Sequence, residues 1–230
     1  MKHEALVTKV KRETADTKTI FFTVNDTVLP FTAGQYISVY FPELLGGQCK
    51  AYSLSSAPFD NDMSITVKDI GQFSGLLCSL KAGDTLNISS PYGFFNAKSE
   101  RPIIGIVGGV GVSPVWSIVR DELQSKPDRK IKLLYSVKKS SDVVLEKDIS
   151  RLFDNAKNAD CRLFVTQEAT SDHTNRRISL EEDISKNELD SSQFYICGRE
   201  DFTRSLWRQL VDMGVDTESI STETFFENLL

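Results

Sequence analysis

The chain has 230 residues, enough for one large domain or two modest ones. Hydrophobic residues make up 40% and charged residues 26%, the latter spread along the chain, which excludes a disordered or low-complexity protein. The formal net charge of −5 argues against a nucleic-acid binder. Lys2, Lys9, Lys11, Arg12 and Lys18 leave open a basic face for an acidic partner, beside the plainer reading of a solvated strand surface. Cys49, Cys78, Cys161 and Cys197 form no C-x-x-C pair, so the sequence predicts no cysteine-ligated metal and no disulfide framework. The segment Met1-Lys2-His3-Glu4 has no signal-peptide core. The apolar run from Ile103 to Val119 is interrupted by four glycines and a proline and is shorter than the ~20 residues of a membrane span. A cytoplasmic location is the expectation.

Alternation and β-branched content predict strands at Glu4–Val10, Thr19–Val24, Tyr36–Phe41, Ala51–Ser55, Met63–Val67 and Thr85–Ser89. Turn signals separate them at Asn25-Asp26, Ala33-Gly34, Gly46-Gly47, Pro58 and Gly83-Asp84. This is the pattern of a small antiparallel barrel or sandwich. After a boundary near Ala97–Pro102 the period changes. Strands are predicted at Ile103–Val107, Ile131–Val137, Arg162–Thr166, Gln193–Cys197 and Ser219–Thr222. Helices are predicted at Pro114–Gln124, Val143–Ala156, Leu180–Ser185 and Asp201–Met213. Ser179 and Glu182 match a capping box, and Gly214 fits a helix end. Alternating strands and helices imply a parallel sheet covered on both faces.

Three segments carry candidate chemistry. The first is Gly108-Gly109-Val110-Gly111-Val112-Ser113-Pro114, between a strand and a helix, with Ser113 read as the cap and Pro114 as the first helical residue. Such a turn brings backbone amides and the helix dipole to a diphosphate, although it is not G-x-G-x-x-G. In the second, Gly71-Gln72-Phe73-Ser74, Ser74 is placed to cap a short helix facing an anion, or simply a turn. In the third, Lys50-Ala51-Tyr52-Ser53-Leu54, alternation sets Lys50, Tyr52 and Leu54 on one face and Ala51 and Ser53 on the other. His3 and His173 have no partners for a catalytic triad.

Taken in order, Ala33-Gly34-Gln35-Tyr36, Lys50–Ser53, Gly71–Ser74, Pro91-Tyr92-Gly93-Phe94-Phe95, Gly108–Pro114, Tyr195-Ile196-Cys197-Gly198 and Glu223-Thr224-Phe225 resemble the ferredoxin–NADP reductase superfamily over nearly the whole chain. The resemblance implies an antiparallel Greek-key β-barrel binding FAD over residues 1–98 and an α/β parallel-sheet domain binding NAD(P)H over residues 99–230. It implies that Tyr52 packs on the isoalloxazine, that Ser53 hydrogen-bonds the hydride-accepting nitrogen, and that Lys50, Ala51, Gly71, Phe73 and Ser74 hold the flavin dinucleotide. Gly108, Gly109, Val110, Gly111, Ser113 and Pro114 would hold the nicotinamide dinucleotide's diphosphate. Cys197, Gly198, Glu223 and Phe225 would lie around the reacting rings, with Phe226 a second candidate aromatic, and Ser53, Cys197 and Glu223 are the expected catalytic group.

This chain departs from the family pattern at Lys50, where arginine is usual, and at Arg199, where proline is usual. With no four-cysteine cluster, it is expected to carry flavin without an iron–sulfur centre and to pass electrons to a separate acceptor such as a ferredoxin. Reduction of free flavin or a small acceptor, and electron relay as a subunit of a larger complex, remain alternatives. Lys138 and Lys139, after the second strand of the C-terminal half, favour a 2′-phosphate, while Asp142 is read as a helix cap.

Overall fold

The computed structural model describes residues 2–41, 48–169, 171 and 173–225. The Gly46-Gly47 turn and Phe226 lie outside the described residues.

The N-terminal half contains strands β1 (Lys2–Arg12), β2 (Thr17–Thr23), β3 (Tyr36–Tyr40), β4 (Cys49–Ser53), β5 (Met63–Lys68) and β6 (Thr85–Ser89), with helix α1 (Gln72–Ser79) between β5 and β6. They form an antiparallel six-stranded sheet in the order β4-β3-β6-β1-β2-β5. The sheet closes on itself past β4, where Leu54 bridges Ile65 and the Ser55 amide donates to the Ser64 carbonyl at 2.8 Å. β2 and β3 are consecutive yet not neighbours, and α1 carries the chain across from β5 to β6, which makes the barrel a Greek key. Alternate residues of these strands (Ala5, Val7, Ile20, Phe22, Ile37, Val39, Ile65, Val67, Leu86, Ile88) fill its interior together with Phe73 and Leu77 of α1. Burying each large aliphatic or aromatic side chain contributes about 1.5–3 kcal/mol.

The C-terminal half contains β7 (Ile103–Gly108), α2 (Val112–Ser125), β8 (Ile131–Val137), α3 (Glu146–Asn155), β9 (Ala159–Val165), α4 (Leu180–Asp183), α5 (Lys186–Ser191), β10 (Gln193–Arg199), α6 (Glu200–Asp212) and β11 (Ile220–Phe225). Its sheet is parallel, in the order β11-β10-β7-β8-β9. β7 is buried on both faces, as a central parallel strand must be. Ile103 and Val107 pack with Val115, Ile118 and Val119 of α2, while Ile104 and Ile106 pack with Phe194, Leu206 and Leu210 on the α6 side. The chain runs outward from β7 to β9 and then returns to the other side of β7 as β10. The carboxyl ends of β7 and β10 therefore flank the topological switch point, where open α/β sheets bind ligands.

Several local expectations are corrected. α2 begins at Val112, so Ser113 and Pro114 are its second and third residues rather than its cap and first residue. A proline is tolerated there because first-turn amides have no intrahelical acceptor. The Ser113 hydroxyl instead donates to the Val110 carbonyl at 2.8 Å. The Ser179–Glu182 box does not form. The Ser179 amide donates to the Asp183 carboxylate at 2.9 Å, and the reciprocal box sits at Ser185 and Glu188, opening the unforeseen helix α5. α3 starts only at Glu146, because Leu145 takes a left-handed conformation, φ 59°.

The segment between the halves is held tightly. Arg129, almost wholly buried, donates to Ser99 and Arg101 carbonyls and pairs with Glu122. Phe95 meets Tyr195 edge-on at 5.5 Å, and the Tyr195 hydroxyl donates to the Asn96 carbonyl at 3.0 Å.

Candidate functional site

Two cavities are each lined by residues from both sheets. The first, about 880 Å³, has Tyr36, Lys50, Ala51 and Ser53 on the barrel side, Phe94, Phe95 and Lys98 from the connecting segment, and residues 220–225 of β11 opposite. The strand register explains its chemistry. β11 pairs in parallel with β10, setting Glu223 beside Cys197. The buried Ser53 hydroxyl donates a hydrogen bond to the Glu223 carboxylate, joining barrel to α/β sheet. Burial pushes the Glu223 carboxyl up, with the Ser53 hydrogen bond opposing part of the rise. Cys197 is completely buried, and desolvation with the neighbouring Glu223 charge holds its thiol well above the ordinary range. Cys197 is therefore a protonated thiol, a packing and polar contact rather than a thiolate nucleophile.

Ala51 and Ser53 line the cavity together, as alternation implies, but Lys50, read on the other face with Tyr52, lines it as well. Ser53 faces the cavity, while the half-buried Tyr52 ring stacks with Phe73 of α1, centroids 6.2 Å apart and planes at 21°. The Lys50 ammonium lies 5.7 Å from the centre of the same Phe73 ring. Tyr52 itself is outside that lining. Ser74 is the third residue of α1, not its cap. Its hydroxyl accepts from the amides of Ile70 and Gly71 at 3.0 and 3.1 Å and donates to the Gly71 carbonyl at 3.0 Å. Already engaged, it shapes the Gly71 turn rather than standing as a cap aimed at an anion.

The second cavity, about 540 Å³, lies at the switch point. Gly108, Gly109 and Val110 line it from the end of β7, Gly198 and Arg199 from the end of β10, Lys138 and Asp142 from the segment after β8, and Phe225 from β11. Two glycines here have definite reasons. Gly109 has φ +54° with open space where a Cβ would stand, so it opens a cradle as well as making the turn. At Gly111 a Cβ would lie 2.5 Å from the Cys197 carbonyl oxygen, so glycine allows α2 to start against the end of β10. The residues fit a dinucleotide, with the glycine turn at Gly108–Val110 and the cations Lys68, Lys138 and Arg177 in one cleft.

Tyr36 and Phe94 of the first cavity stood in the family motifs without a stated role, whereas Lys98 of the first cavity and Thr17, Lys68, Arg177 and Phe202 of the second were not singled out in the sequence. The basic pair Arg176-Arg177 following β9 is a signal that local reading can use. Lys68 and Thr17 come from the barrel and become visible only through tertiary structure. Lys139 is absent from the cavity lining, and its amide donates to the Asp142 carboxylate at 3.1 Å; Asp142 thus closes the short turn at 140–142 and does not cap α3, which begins only at Glu146.

A barrel with a polar pair facing an aromatic cavity, joined to a parallel sheet with a glycine cleft at its switch point, defines a flavin- and nicotinamide-dependent oxidoreductase. Residues 4–97 match the oxidoreductase FAD-binding domain and residues 106–207 the oxidoreductase NAD-binding domain. The chain belongs to the ferredoxin–NADP reductase superfamily, and its cofactors are FAD and NAD(P)H. It is similar to flavohemoprotein B of Dictyostelium discoideum, 27% identical over 96% of this chain and 59% of that protein, so it spans about three fifths of that relative's length. Among solved structures, the FAD/NAD-binding domain of the nitric oxide dioxygenase of Vibrio cholerae superposes with a TM-score of 0.88 at 25% identity, covering 97% of this chain and 98% of that one. A ferredoxin NADP+ reductase of Neisseria gonorrhoeae with bound FAD and NADP shares the fold, with a TM-score of 0.82 at 21% identity, covering 98% and 99% of the two chains. No helix among the described residues is long and apolar enough to cross a membrane.

Proposed function

We propose that this oxidoreductase takes reducing equivalents from NAD(P)H and delivers them to a separate redox protein, with a ferredoxin the leading candidate. The observation that carries the reading is the Ser53–Glu223 hydrogen bond beside Cys197, at the contact of the two halves. FAD, when bound, supplies the conversion between a two-electron donor and a one-electron acceptor. The protein's own residues bind and orient. Ser53 presents an oriented hydroxyl, Glu223 holds a partly desolvated carboxyl at that hydroxyl, and the fully buried Cys197 packs beside Glu223 on the neighbouring strand. The first turn of α1 and the Gly108–Gly111 turn would hold the two diphosphates, in domains divided near residue 98. Lys50, Lys98 and the highly exposed Phe94 at the first cavity suit an acidic protein surface with an apolar centre.

A relay role within a larger assembly is the second reading, favoured by the length of the flavohemoprotein relative, whose name pairs a flavin with a haem. The test is the rate of NAD(P)H oxidation by the purified, FAD-loaded chain with added ferredoxin, free flavin or a haem protein. Fast turnover with ferredoxin supports the first reading. Flavin reduction without turnover on any soluble acceptor supports the relay. Failure to bind FAD at micromolar concentration overturns both.

A further inference from the structure

Arg120 lies on α2, and Asp60 on the segment joining β4 to β5. Their side chains pair through two parallel bonds, Nη1 to Oδ2 at 2.5 Å and Nη2 to Oδ1 at 2.7 Å. The pair is half-buried, and the guanidinium lies between the Phe59 ring at 5.1 Å and the Trp116 ring at 5.7 Å. One turn earlier on α2, the buried Ser117 hydroxyl donates to the Ser56 carbonyl at 2.6 Å. The receiving segment is itself rigid. The Asp60 carboxylate also accepts from the Ala57 amide at 2.9 Å, and the Ser56 hydroxyl accepts from the Ser64 amide at 2.9 Å on the barrel wall. Another cross-link between the halves, Lys11 to Asp148 at 2.6 Å, is largely exposed and carries little constraint.

We propose that the Arg120–Asp60 pair is a positioning element for the redox reaction, fixing the Gly108–Ser113 turn relative to Ser53. The inference rests on the function proposed above. The placement carries it: α2 begins at the glycine turn, and the segment holding Ser56 and Asp60 continues directly from Ser53. A bidentate, stacked guanidinium resists sliding and rotation in a way a lysine cannot. Between reacting groups, a shift of about 1 Å lowers a rate by as much as ~10²-fold.

The experiment uses the full FAD-loaded chain and the variants Arg120→Lys, Asp60→Asn and Arg120→Ala/Asp60→Ala. Each single change is expected to slow flavin reduction at saturating NAD(P)H by on the order of tenfold, with KM for the nicotinamide and FAD content unchanged. The double variant should be no slower than the singles, because both remove one contact. Apart from turnover, amide hydrogen exchange in cofactor-free protein should quicken at residues 56–60 and 108–113 in every variant and stay unchanged in the interior of the barrel. Saturated rates equal to wild type, losses that multiply in the double variant, or exchange unaltered at residues 108–113 would overturn the inference while leaving the proposed function standing. Wild-type chain that binds no FAD overturns the proposed function and this inference with it.

Discussion

Ser53 and Glu223 meet across 170 positions of sequence, and the chemistry of the first cavity turns on how that contact is solvated. An oriented hydroxyl costs no reorganisation when charge shifts nearby. Removing one such donor lowers rates by about 10²-fold. Ser53→Ala is therefore expected to slow stopped-flow flavin reduction by that order while flavin affinity changes little; an unchanged rate removes Ser53 from the site. Glu223 gives a second expectation, in stability. Burial raises its pKa from the ordinary 4.5, so the folded chain binds more protons than the unfolded chain in the interval between those values. The group's favourable contribution is complete below that interval and declines as pH rises through it. Glu223→Gln removes the decline. The melting temperature of the variant minus that of wild type should grow as pH climbs from roughly 4 to roughly 7. A difference that is flat or shrinks with pH contradicts the direction of the shift.

The elements show how much a local pattern can hold. Strand interiors were legible because alternation and burial coincide: Thr85–Ser89 and Ile131–Val137 match their expected limits. Ends were less so, since they depend on tertiary contacts. α2 starts at Val112 because Gly111 lets it dock on Cys197, and α5, with Leu189 its one apolar residue, has no helical stripe to read. The family motifs exposed the segments of the site. The pairing of Ser53 with Glu223, and the contributions of Lys68 and Arg177, needed the fold. Two predictions follow from α2 and the strand ends. Gly111→Ala forces a methyl against the Cys197 carbonyl and should cost about 1–3 kcal/mol in denaturant unfolding, with weaker nicotinamide binding. Lys138 and Arg177 both line the second cavity, and a 2′-phosphate would meet them there. Lys138→Ala/Arg177→Ala should lower kcat/KM for NADPH about tenfold or more and leave NADH nearly unaffected. Equal losses with both nicotinamides reject that placement.

At the scale of the whole molecule, barrel and α/β sheet share packing as well as polar ties, since Ala33 and Phe95 join the core that contains Ile118 of α2. Ligands that bridge such halves stabilise both. FAD at ~100 times its dissociation constant adds about 2.7 kcal/mol to the folded state. One cooperative melting transition should then move upward by roughly 5–10 °C. A shift confined to one of two separate transitions would show that the halves unfold independently. Phe225 borders both cavities, so a single half-buried ring serves as a party wall between the compartments proposed for flavin and nicotinamide. A wall can take only one position at a time, and each tenant inherits the position set by the other. The affinity for NADP+ measured with and without FAD must therefore change by the same factor as the affinity for FAD measured with and without NADP+. Phe225→Ala should bring that factor close to one, leaving two neighbouring compartments that no longer sense each other's occupancy.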